Sequence, residues 1–125
     1  YDGILISTLS ILKNTKDILN IYVVTADLSN INEKLMPITN NQIEVLETAI
    51  KKANKENNIK LIDVSELFNK EMLKSTNINT SYTPYIFLRL FADKISELPD
   101  KILYLDADTV CYRDLNELFN IDISD

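Results

Sequence analysis

The feature that most constrains this chain is an alternation of two hydrophobic periods. Short apolar-rich runs recur at Ile21–Val24, Ile59–Val64 and Lys101–Leu105, the first of them contiguous and β-branched. Between them lie longer stretches with apolar residues at helical spacing. The plainest of these runs from Thr39 or Asn40, with Ile43, Leu46, Ile50 and Ala53 on one face and Glu44, Glu47, Lys51 and Lys55 elsewhere. Contiguous apolar runs flanked by polar residues read as strands buried on both faces. Strands alternating with helices predict an α/β fold, a mainly parallel sheet with helices on both faces. In such sheets ligands sit at the carboxyl ends of the strands.

The element order expected is helix, strand, helix, strand, helix, helix, strand. Residues 3–14 read as a buried helix stopped near Asn14. Asn20–Asp27 carries the first strand, and residues 27–39 read as a loop. The helix opening at Thr39 or Asn40 is expected to end at Asn57–Asn58, with Glu47–Lys51 a favourable pair one turn apart. Ser65 reads as the N-cap of a short helix with Leu67 and Phe68. Residues 74–82 read as polar loop, and Thr83 with Pro84 opens a further helix to about Lys94. Pro99 marks a turn before the third strand. One glycine and three prolines in 125 residues are too few turn residues for a β-sandwich.

The remaining composition narrows the function. A net charge of −6 and a pI of about 4.6 argue against nucleic acid or anionic lipid as a general partner. A single cysteine, Cys111, makes neither an internal disulfide nor a zinc site, and the absence of histidine removes Ser-His and Cys-His catalysis from this chain. The one thiol fits a reducing, cytoplasmic setting. No apolar run approaches the roughly 20 residues of a membrane helix. Because the chain begins at Tyr1 and stops soon after its best motif, it is expected to be the front part of a longer protein.

That motif is the run KILYLDADTV, in which Asp106 and Asp108 leave the third strand one residue apart. In extended geometry the two side chains share one side, and two neighbouring carboxylates call for a counter-charge. Oxygen donors of this kind suit Mg²⁺ or Mn²⁺. The plain alternative is that both aspartates turn the chain at a strand end, a common use of Asp. An EF-hand reading of Asp106–Glu117 fails, because Val110 and Cys111 stand where that loop needs an oxygen ligand and a glycine. The same run resembles the D-x-D-x-[TV] motif of haloacid-dehalogenase-type phosphatases, in which Asp106 would be the nucleophile and Asp108 the general acid. That motif normally opens its domain, whereas here about a hundred residues precede it.

Four segments together resemble glycosyltransferase family 8, of the bacterial lipopolysaccharide and general-stress type. They are YDGILISTLSILKNT, NIYVVTADLS, YTPYIFLRLFA and LPDKILYLDADTVCYRDLNELFNIDI, and they span essentially the whole chain. The resemblance implies a GT-A fold, of which residues 1–125 would be the nucleotide-sugar-binding half. The family's first strand would precede Tyr1, and its C-terminal part, with a third metal ligand, would follow Asp125. It implies a retaining hexosyltransferase that uses Mn²⁺ (or Mg²⁺) and a UDP-sugar donor carrying glucose or galactose. The acceptor would be a saccharide or lipopolysaccharide-type glycolipid, with peripheral membrane contact through the downstream region. Asp106 and Asp108 would bind the metal. Ala107 would lie along the nucleotide, with Asp106 also near the ribose. Arg89 matches the family's helix arginine near the donor, although an arginine there also serves as a solvated helix residue. Tyr82 and Tyr85 read as core or pocket wall, and Arg113 and Asp114 as a turn and helix cap. The phosphatase, and a relic that binds without turnover, are the alternatives.

Overall fold

The computed structural model describes residues 1–79 and 82–123. It contains α1 (Asp2–Asn14), β1 (Asn20–Thr25), α2 (Asn40–Ala53), β2 (Asn58–Asp63) and α3 (Ser65–Met72). Two 3₁₀ helices, Thr76–Asn79 and Pro84–Lys94, and a short α4 (Asn116–Phe119) follow. β1 and β2 pair in parallel, with Val23 opposite Leu61 and Val24 opposite Ile62.

The two faces of this pair carry separate cores, because successive strand residues alternate sides. On one face Val23 packs with Ile43 and Leu46 of α2, joined by Ile4 and Leu5 of α1. On the other face Ile62 and Val64 meet Phe68 of α3 and Leu88 and Phe91 of the longer 3₁₀ helix. Phe68 and Phe91 meet edge to face, with ring centroids 6.2 Å apart. The expected helices on both sheet faces are therefore present.

Local chemistry explains most boundaries. Thr39 caps α2 in a reciprocal box with Gln42, each side chain serving the other's backbone N–H. Pro84 stands in the first turn of its helix, where a missing N–H costs nothing. α2 stops at Ala53, earlier than expected, and Ala53 is exposed. Asn54 turns extended there, and its side chain takes the Glu56 N–H at 3.0 Å. Glu47 and Lys51 do not close into an ion pair; Lys94 and Glu71 do, at 3.4 Å. Ser65 is the first residue of α3 and not its cap. Its hydroxyl instead binds the Asp63 carboxylate and receives the Asp27 N–H. The expected loop at 74–82 contains the short 3₁₀ helix Thr76–Asn79; residues 80 and 81 lie outside the described residues.

Three further expectations are corrected. α1 is a helix but not a buried one, since Ile6 is 55% and Leu9 48% exposed and its buried residues are Ser7 and Thr8. β1 is only half-buried, because its neighbours cover alternate residues such as Val23 and Thr25 more fully than the rest. Pro84–Lys94 is the helix expected there, with Thr83 as its N-cap, and it winds as a 3₁₀ helix. Lys101–Leu105 is not a strand. A strand needs a ladder partner, and neither β1 nor β2 pairs with this segment. The segment is not buried on both faces either, since Ile102 and Tyr104 are exposed.

Asn57 joins the layers at the start of the sheet. It is fully buried, accepts the Leu19 N–H at 2.8 Å and donates to the Ile50 carbonyl at 3.0 Å. Asn57→Ala leaves the Leu19 N–H without this acceptor, while the Ile50 carbonyl keeps the Asn54 N–H at 3.0 Å, and is expected to cost about 1–3 kcal/mol. Urea unfolding measures this; an unchanged midpoint would contradict the role.

Candidate functional site

The carboxylates of the motif are presented by a turn and not by a strand end. The Thr109 N–H donates to the Asp106 carbonyl at 3.0 Å, and Ala107 and Asp108 occupy the two central positions. The alternation that puts i and i+2 on one side of a strand does not carry across this turn. Asp106, Ala107 and Asp108 are all exposed.

α1 holds this turn and the chain after it. Gly3 stands so close to the turn that a Cβ there would lie 2.8 Å from the Ala107 carbonyl oxygen. One face of the helix then serves both backbone groups of Cys111. The Cys111 N–H donates to Ser10 Oγ at 2.8 Å, and Asn14 Nδ2 donates to the Cys111 carbonyl at 2.9 Å. Ser10 and Asn14 are one helical turn apart and so project from the same face. Beyond the helix, Thr15 Oγ1 donates to Asp114 at 3.2 Å, and Asn116 Nδ2 donates to Asp17. From Gly3 to Thr15 the helix and its exit rise about 18 Å. From Ala107 to Asp114 an extended chain covers about 23 Å. The two run side by side in the same direction, and the helix side chains stand where a ladder partner would.

Arg89 comes to the motif from the longer 3₁₀ helix. Its guanidinium lies 5.8 Å from the centroid of the Tyr104 ring. The Tyr104 hydroxyl donates to Asp106 Oδ1 at 2.6 Å. Partial burial pushes the Tyr104 phenol up from its ordinary pKa. The neighbouring Asp106 carboxylate adds to that rise and Arg89 opposes it. Arg89, Tyr104 and Asp106 thus form one contiguous group. Tyr104 stood in the sequence only as part of an apolar run; its position two residues before Asp106 was the available signal.

The other residues singled out in the sequence serve the fold. Tyr85 donates to the Met36 carbonyl at 2.8 Å and the Ala26 carbonyl at 3.3 Å, tying its helix to the loop after β1. Burial raises its pKa, with Asp27 second. Tyr82 is exposed. Asp114 accepts the Asn116 N–H at 3.0 Å in a turn two residues long; the expected cap is corrected, since Leu115 is the N-cap of α4 and no side chain caps that helix.

Among the described residues no group of three or more acidic, Cys or His side chains converges on a metal position. Asp106 and Asp108 still offer a fitting donor set. They are hard oxygen donors, Oδ1 is the one Asp106 oxygen with a partner, and Asp108 has no hydrogen-bond or ion-pair partner among the described residues. A small hard cation is commonly held by one or two carboxylates, with substrate phosphates and water completing its shell.

A comparison with protein-family models matches residues 1–125 to glycosyl transferase family 8. The chain belongs to glycosyl transferase family 8. No curated protein and no solved structure matches it. The family match covers the D-x-D-x-V run itself, and so favours the transferase over the phosphatase, whose resemblance was confined to that run. Gly3 and Asn14 bracket the helix face that holds the aspartate turn. No described helix is long and apolar enough to cross a membrane.

Gly3→Ala is the direct probe of this docking. The obstructing atom is backbone, so the turn must move, at an expected cost of about 1–3 kcal/mol. Amide resonances of Ala107 and Asp108 should shift while those of α2 stay in place. Unmoved turn resonances would show that the approach is not tight.

Proposed function

We propose that this family-8 chain carries the donor-binding part of a retaining hexosyltransferase of GT-A fold. Asp106 and Asp108 hold Mn²⁺ or Mg²⁺ against the diphosphate of a UDP-sugar, and Ala107 lies along the nucleotide. Arg89 faces the donor from the 3₁₀ helix. The hexose is glucose or galactose, and the acceptor is a saccharide or glycolipid.

The observation that carries this reading is the pair of exposed carboxylates on one turn, with Asp108 unpartnered among the described residues and Arg89 on the Tyr104 ring beside it. A diphosphate has no reason to approach such a turn on a chain of net charge −6 by general attraction. A divalent cation bound there supplies the charge neutralisation that a departing nucleoside diphosphate requires. Asp106 and Asp108 fix where that neutralisation is available. Arg89 adds a permanent positive charge, since guanidinium does not titrate in the working range. No side chain of this chain is assigned as a nucleophile.

Calorimetric titration of UDP into the full-length protein, with and without Mn²⁺, tests the proposal. UDP is expected to bind only with Mn²⁺ present, and Asp108→Ala should abolish that binding without lowering the melting temperature. Absence of UDP binding under every metal condition would defeat the reading.

A further inference from the structure

Tyr104 is an aromatic residue that contributes little to the core. It is 49% exposed and belongs to neither hydrophobic cluster. Its two engagements both point at the aspartate turn. The hydroxyl donates to Asp106 Oδ1 at 2.6 Å, within the short range of hydrogen bonds to an ionised acceptor. The ring face receives the Arg89 guanidinium, 5.8 Å from the centroid, from a different element of the fold.

These contacts constrain Asp106 in a specific way. A lone aspartate on an exposed turn rotates freely about its terminal torsion, so either oxygen faces a ligand. With Oδ1 held by Tyr104, that rotation is stopped and Oδ2 is the oxygen left to bind. The phenol is itself held, by Arg89 on its face and by the chain two residues away. Metal-binding carboxylates depend on such partners to fix their orientation, and losing one commonly costs about 10–100-fold in metal affinity.

We propose that Tyr104 is a positioning residue, which orients the Asp106 carboxylate for the divalent cation and couples that orientation to Arg89. The inference rests on the metal-site reading above. Tyr104 acts through Asp106 and need not touch substrate.

The test is a Mn²⁺ titration of the full-length protein in the presence of UDP, followed by the electron paramagnetic resonance signal of free and bound Mn²⁺. It compares wild type, Tyr104→Phe, Tyr104→Ala and Asp108→Ala, with melting temperatures for each. Tyr104→Phe keeps the ring under Arg89 and deletes only the hydroxyl. It is expected to weaken Mn²⁺ binding about tenfold, to change the bound-Mn²⁺ line shape, and to melt with the wild type. Tyr104→Ala should weaken binding further, because Arg89 is released as well. Wild-type affinity and line shape in Tyr104→Phe, with binding abolished in Asp108→Ala, would overturn the positioning role and leave the metal site standing. No saturable Mn²⁺ binding by the wild type would overturn the metal site, and the positioning role with it.

Discussion

The site depends on the docking of α1 along residues 107–116. A chain segment that carries function must still satisfy its backbone N–H and C=O groups. In this structure the segment after the aspartate turn has no strand beside it. Ser10 supplies the acceptor and Asn14 the donor that Cys111 needs, Thr15 and Asp17 extend the contact, and Gly3 lets the helix close on Ala107. α1 is placed in turn by Ile4 and Leu5, which pack with Val23 and α2 on one face of the sheet. The chain of cause runs from that core, through one helix face, to the turn bearing Asp106 and Asp108.

This explains a pattern in α1 that hydrophobicity alone obscures. The helix is rich in apolar residues, yet its fully buried positions are Ser7 and Thr8. Ser7, Thr8, Ser10 and Asn14 face protein while Ile6 and Leu9 face out. A helix that docks a non-ladder segment must present hydrogen-bonding groups on its covered side. Counting apolar residues along residues 3–14 therefore finds the helix and misplaces its buried face.

Other elements were legible because their signals are local. The Thr39–Gln42 box, Pro84 at a helix start, and the β-branched runs of β1 and β2 each act through neighbours in sequence. The acidic pair was legible as well, since two aspartates after an apolar run stand out. What the residues did not disclose depends on remote partners. Lys101–Leu105 has a strand's composition but no ladder. The meeting of Arg89 with Tyr104 joins two elements, and no spacing rule forecasts it.

On the proposed reading, an acidic chain takes a donor that is itself a polyanion. Charge alone would keep the two apart, and a cation between them, with Arg89 at the flank, is what that reading requires. The most direct measurement is anomalous diffraction at the manganese edge from crystals of the full-length protein grown with Mn²⁺ and UDP. The account predicts an anomalous peak within about 2.0–2.3 Å of oxygens from both Asp106 and Asp108, with the UDP diphosphate on its other side. A peak remote from this turn, or UDP bound with no cation between it and the two aspartates, would contradict it.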